Sequence, residues 1–181
     1  DGSVVGLTYN RDENVIGWHT HDFSGGVVED MSILPTADQL QDALWLIVRR
    51  EIDGEERRYI EKLERFWDFD MSIQQAHFVD CALRYEGEPT DIIYGLTHLE
   101  GQEVYGLADT RPVGPYIVVN GSVELEFAAS NVVLGLGFDA YGVTSRLENG
   151  AADGTAQGKV KRINSIVMLL WASAGGEVGV H

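Results

Sequence analysis

The sequence predicts a mainly β protein built from antiparallel sheets, and three observations carry that expectation. Glycine takes 21 of 181 positions against four prolines, and it mostly punctuates short β-branched and aromatic runs. Over 76–138 those runs are separated by turn residues roughly every 8 to 12 positions, the spacing of a small sandwich or barrel. Two dipeptides, Asp53-Gly54 and Asn120-Gly121, are of the kind that supplies the positive φ angles of tight hairpins.

In chain order, strands are expected at Val4–Tyr9, Val15–His21, Val27–Leu34 and Leu44–Arg50. The last is a continuous Leu-Trp-Leu-Ile-Val run, the pattern of a strand buried on both faces. Asp53-Gly54 then turns the chain. Glu55 to Trp67 is ambiguous: Tyr59, Leu63, Phe66 and Trp67 fall at helical spacing, with Glu61 four residues before Arg65, whereas Leu44–Arg50 needs a strand partner. Because Arg49-Arg50 and Arg57-Arg58 flank the turn symmetrically, the strand is the reading adopted. The β signal returns as His77–Tyr85, Asp91–Leu96, Glu103–Ala108, Tyr116–Val119, Ser122–Phe127 and Val132–Phe138. Asn120-Gly121 lies between Ile117-Val118-Val119 and Val123-Glu124-Leu125 and marks the clearest hairpin; its Asn-Gly-Ser is also a formal glycosylation sequon, read here as the turn. Residues 149–158 read as a loop, and Ile163–Ala172, apolar on both faces, as a central or interface strand.

Charge and composition narrow the function. Twenty-nine acidic residues against 13 basic give a net charge of −16, which argues against a nucleic-acid ligand, since binding one requires clustered Lys and Arg. A hydrophobic content of 44% is ordinary for a globular chain, and the longest apolar run, Ile166–Ala172, is too short to span a bilayer. A lone cysteine, Cys81, excludes a disulfide scaffold. The chain starts at Asp1 without a Met or a basic and apolar leader, and stops soon after a strong apolar run, so a fragment of a longer protein is expected.

Few constellations point to chemistry. Trp18-His19-Thr20-His21 is the sharpest metal-like pattern, because residues two apart on a strand share a face and present two imidazoles to one ion. His77, His98 and His181 are isolated, so the pair is read as ordinary strand histidines beside a packed Trp, and no metal is assigned. Asp68-Phe69-Asp70 and Glu29-Asp30 are carboxylate pairs of the type glycoside hydrolases use, but among 29 acids such pairs arise by chance and a solvated surface is the preferred reading. Asp68 and Asp70 equally fall where two domains would join. Gly135–Gly142 has the wrong spacing for a phosphate loop, and Cys81, between Asp80 and Ala82, reads as buried filler rather than a nucleophile. No cofactor is implied. Trp45 and Trp171 are expected in the core, which leaves Trp18 and Trp67 as candidates for an exposed sugar-stacking surface.

Longer stretches carry a resemblance. Leu7-Thr-Tyr-Asn-Arg11, Val15-Ile-Gly-Trp-His19, Leu44-Trp-Leu-Ile-Val-Arg-Arg50 and Arg58-Tyr-Ile-Glu-Lys-Leu63 come first. Phe78-Val-Asp80 with Leu83 and Tyr85, Gly95-Leu-Thr-His-Leu-Glu-Gly-Gln102, Leu107-Ala-Asp109 and Gly154-Thr-Ala-Gln-Gly158 before Lys161-Arg-Ile163 follow. In this order they resemble the tail-nozzle proteins of short-tailed bacteriophages, the tail tubular protein B group. The resemblance implies a virion structural protein made in the host bacterial cytoplasm and arranged as a sixfold ring of its own copies between the portal-adaptor ring and the tail tip. It brings no catalytic, cofactor-binding or metal-binding residues. It also implies that residues 1–67 are a β-meander of propeller-type blades, 68–143 an inserted small β-sandwich or barrel domain, and 144–181 a loop and a return strand packing on the first part. Cys81, Arg84 and the irregular Gly137–Val143 depart from the family's pattern and leave the boundary near Tyr141 open.

The role so implied is an acidic conduit through which DNA passes during ejection without being held, since like charges repel over a Debye length of roughly 8 Å. Acidity serves solubility equally well. Lys159, Lys161 and Arg162 form the one dense basic cluster and are the candidate contact to an acidic neighbour in the ring. Two other readings stay open: a carbohydrate- or receptor-binding β module of a phage tail, built on Trp18, Trp67 or the tyrosines, and a carboxylate-dependent glycoside hydrolase built on Asp68 and Asp70.

Overall fold

Among the described residues nine strands, all paired antiparallel, form three separate sheets. The computed structural model of the protein describes residues 2–37, 41–65, 67, 70–143, 164–169 and 178–179. All nine strands lie in the unit Asp1–Phe138, while the described residues of the second unit, Asp139–His181, carry no regular secondary structure. β1 (Val4–Asn10) and β2 (Val15–His21) make a two-stranded hairpin. β3 (Gly26–Pro35), β4 (Asp42–Ile52) and β5 (Glu55–Lys62) make a meander with β4 central. β6 (Asp80–Tyr94), β7 (Glu103–Ala108), β8 (Arg111–Ile117) and β9 (Ser122–Leu136) make the third sheet in the order β6-β9-β7-β8. The expected mainly β, antiparallel architecture is present, as open sheets rather than a closed barrel.

Residues 55–62 form a strand because the turn before them dictates a hairpin. Asp53 and Gly54 take φ of 55° and 71°, the left-handed pair that folds β5 straight back on β4. The helical spacing of Tyr59 and Leu63 yields to that geometry. β4 departs from its expectation. Leu46, Val48, Arg50 and Ile52 are buried, whereas Ile47 on the other face is 38% exposed, so this central strand covers one face only.

The third sheet has fewer and longer strands than expected. His77–Tyr85 and Asp91–Leu96 merge into β6, and Ser122–Phe127 and Val132–Phe138 into β9. Gly87 and Pro89 resemble a break, yet β6 is an edge strand and its pairing slips between Glu86 and Thr90, a bulge that tolerates a residue without an N–H. At Asn120-Gly121 the turn is present, with φ of 52° and 68°, but the ladder is not. A single bridge joins Val119 to Ser122 before the chains part: β8 pairs with β7, while Ser122 pairs with Tyr94 of β6. The turn is held from outside, its two backbone N–H groups donating to the Glu100 carboxylate at 2.8 and 2.7 Å. Residues 164–169, read as the middle of an apolar strand, belong to none of the three sheets.

The core lies on one side of the third sheet. Ile93, Leu99, Val104, Val118, Val132 and Leu134 are buried together, and Ile52 at the tip of the β4–β5 hairpin joins them with Tyr59 packed alongside. Close strand approach depends on glycine here. A Cβ on Gly106 would sit 1.8 Å from the Val133 carbonyl oxygen, which no side-chain adjustment relieves.

Candidate functional site

The second and third sheets meet at a buried ionic joint that the sequence analysis did not single out. Arg50 follows Leu46 and Val48 in the inward register of β4 and is only 2% exposed. Its guanidinium extends past Val48 to the Glu61 carboxylate of β5 and binds it through both oxygens, Nε to Oε1 at 2.7 Å and Nη2 to Oε2 at 2.9 Å. Nη1 donates to the carbonyl of Ser24, in the loop between β2 and β3. The N–H of the same Ser24 donates to Asp80 Oδ2 of β6 at 2.7 Å. One loop residue is thus clamped between the second sheet and the third. Burial works against the charge on Arg50, but the hydrogen bonds and field of Glu61 more than offset it and hold the guanidinium pKa above its ordinary value. Alternation carried the one available signal, a charged residue in a buried register, which demands a partner.

A cleft of about 530 Å³ opens beside the joint, lined by His21, Tyr59, Glu61, Trp67, His77 and Asp80 among others. Several of its titratable groups are tied to neighbours. Glu61 is bound to Arg50, and Tyr59 Oη donates to the His98 carbonyl at 3.2 Å. His98 Nε2 lies 3.1 Å from the Cys81 carbonyl, a contact that places the proton on Nε2. Cys81 occupies a bulge at the start of β6 with φ of 50°; burial, seconded by the Glu61 carboxylate, pushes its thiol up to about 12 and keeps it protonated.

Burial likewise raises the Asp80 pKa, against the opposing pull of the Ser24 N–H and Arg50. A carboxyl that holds its proton more tightly folded than unfolded gives a stability that falls as pH rises from the ordinary value of 3.8 through the raised one. Asp80→Asn keeps an acceptor for Ser24 and removes the titration, so the wild-type stability minus that of the variant is expected to decline across that window. Urea unfolding at stepped pH checks it, and a flat difference refutes it.

The residues expected to matter fall as follows. Lys159, Lys161, Arg162, Asp68 and Trp171 lie outside the described residues, so neither the basic cluster nor the Asp68 and Asp70 pair is placed. His19 and His21 do come together, ring centroids 4.9 Å apart and edge to face. Among the described residues no group of three His, Cys, Asp or Glu side chains is placed to hold a metal ion, and no helix is long and apolar enough to cross a membrane. Glu29 and Asp30 do not converge. Glu29 accepts from Arg49 at 3.1 Å and from Arg58 at 2.7 Å, with Glu56 completing the network, while Asp30 Oδ1 accepts the Met31 N–H. Trp67 is half-buried with its Nε1 donating to the Met71 carbonyl. Trp18 does not pack beside the histidines but is 73% exposed, as a candidate for a surface aromatic should be.

Trp18 belongs to a surface feature of the first two sheets. The β1–β2 register sets Val5 opposite Thr20, Leu7 opposite Trp18 and Tyr9 opposite Ile16, so all six share one face. The five apolar members are exposed. The three-stranded sheet has a more mixed outward face, where Ile47 sits between Asp30 and Ile60 and Trp45 between Ser32 and Lys62, with Leu34 opposite the buried Ala43 at the end. Ile60 is 76% exposed. Farther along the same face, Arg49 opposite Arg58 and Glu51 opposite Glu56 replace apolar residues with the Glu29 ion-pair network.

Compared with known proteins, the chain matches no protein-family model and no curated sequence.

Proposed function

We propose that the chain is a structural segment of the tail tube of a short-tailed bacteriophage, acting without catalysis as part of an acidic conduit for DNA ejection. The observation that carries the reading is the exposed apolar face of the β1–β2 hairpin, seconded by the exposed Leu34, Ile47 and Ile60 of the second sheet. A contiguous apolar face left on the surface marks a component of a larger assembly, and antiparallel sheets with apolar residues on their outer faces suit propeller-type blades stacked side by side. The charge of −16 supports the conduit, since a wall that passes a polyanion must repel it. The partners are copies of the same protein in a ring, sixfold by resemblance, together with the portal-adaptor and other tail proteins, and the place is the virion tail. The 530 Å³ cleft, with Tyr59 and Trp67 beside carboxylates, favours as second reading a carbohydrate- or receptor-binding module of such a tail.

Electron microscopy of the full protein from which this chain comes tests the assignment. Hollow rings are expected, together with no retention of duplex DNA on a filter at low salt. Solitary particles or salt-sensitive DNA binding would overturn it, and glycan-array hits abolished by Trp67→Ala would move the assignment to the second reading.

A further inference from the structure

We propose that the two apolar faces are the two halves of one head-to-tail contact between copies of this chain, the β1–β2 face of one copy seating on the Leu34, Trp45, Ile47 and Ile60 face of the next. The inference rests on the ring reading for its closure and deepens it by assigning the surfaces. Three observations select a second copy as the occupant.

The first is area. The five side chains of the hairpin face expose on the order of 600 Å² and the sheet face about 400 Å², which together reach the roughly 1,000 Å² that a specific interface must clear before its rim is counted. The second is charge. Two chains of −16 repel over most of their surfaces, but no ionised side chain lies among the six residues of the hairpin face. The sheet face carries Asp30 opposite Ile47 and Lys62 opposite Trp45, and it is bordered by Arg49 and Arg58 in their ion pairs with Glu29 and Glu56, so its charges nearly cancel. Contact between a face without ionised groups and one whose charges nearly cancel meets little of that repulsion. The third is form. Sheets pack face to face about 10 Å apart with interleaved side chains, and a two-stranded face fits over a three-stranded one. Because the two faces differ, the contact is heterologous and repeats from copy to copy, as a ring requires, whereas a twofold contact of either face with itself would leave the other uncovered.

Two variants of the 181-residue chain test this, Leu7→Ser with Trp18→Ser and Ile47→Ser with Ile60→Ser, followed by sedimentation equilibrium. The wild-type chain is expected to self-associate, and each variant alone to weaken that association by more than about tenfold. Mixed in equal amounts, the variants are expected to form a dimer that grows no further, since each keeps the face the other lacks. As a measurement independent of truncation, Leu7→Cys and Ile60→Cys chains oxidised together are expected to form a mixed disulfide between copies. A wild-type chain that stays monomeric at about 100 μM, or a variant that associates as well as the wild type, overturns the proposal. Rings formed by the parent protein while this chain stays monomeric overturn the surface assignment and leave the ring reading standing; self-association here with no ring from the parent does the reverse.

Discussion

Replacing Arg50 by methionine lowers the free energy of unfolding by about 3–5 kcal/mol, the loss that follows when one partner of a buried ion pair is removed and the other charge is stranded. The stranded group is Glu61, whose side chain is 15% exposed and loses both guanidinium hydrogen bonds at once. Ser24 loses the donor to its carbonyl as well, which loosens the loop that also grips Asp80. Urea titration of wild type and variant gives the difference directly, provided the slope m is unchanged. Arg50→Lys is expected to recover only part of the loss, because an ammonium cannot bind both carboxylate oxygens in a planar fork. Arg50→Met combined with Glu61→Leu is expected to recover most of it, because no charge then needs burying. A loss below about 1 kcal/mol for the single methionine variant would show that water reaches the pair.

Gly106→Ala is expected to prevent folding or to remove more than about 4 kcal/mol of stability. The new methyl would collide with backbone, the Val133 oxygen at 1.8 Å and the Val133 carbonyl carbon at 2.8 Å, so β7 and β9 would have to separate in the middle of the sheet. Gly17→Ala is the matched control. It also sits in a strand, its added methyl meets nothing within 4 Å, and it is expected to change stability by less than about 0.5 kcal/mol. Thermal or urea unfolding of the pair separates the steric effect from the general difference between glycine and alanine. Equal, small changes at both positions would refute the close approach.

Where local rules act alone, the fold is legible in the sequence. β2 and β7 span the expected residues because each is an apolar or β-branched run bounded by turn formers. β5 is legible through its turn, since Asp53-Gly54 forces a hairpin that periodicity alone would not choose. β6 and β9 are not, because whether Gly87 and Pro89 end a strand or bulge it depends on whether that strand lies at an edge, a fact of sheet order. The Asn120-Gly121 turn is legible and its ladder is not, for the backbone of Val118 is bonded to Gly101 and Gln102 instead of to a partner strand beyond Ser122. The joint is half legible. Arg50 in an inward register announces a buried charge, but its links to Ser24 and Asp80 exist only once separate sheets are packed. The outward faces could have been anticipated from the alternation of Val5, Leu7 and Tyr9 against Ile16 and Trp18, given the hairpin register.

The Glu100 grip on the turn bears on how the protein ages. Asn-Gly is the dipeptide at which a side-chain amide most readily sheds ammonia, because the unhindered glycine nitrogen swings onto the asparagine carbonyl carbon and closes a succinimide. Here that nitrogen and the one before it are both anchored to a single carboxylate, in a left-handed conformation that leaves little room for the swing. Succinimide closure is therefore expected to be slower here than at an unanchored Asn-Gly, through a residue twenty positions away.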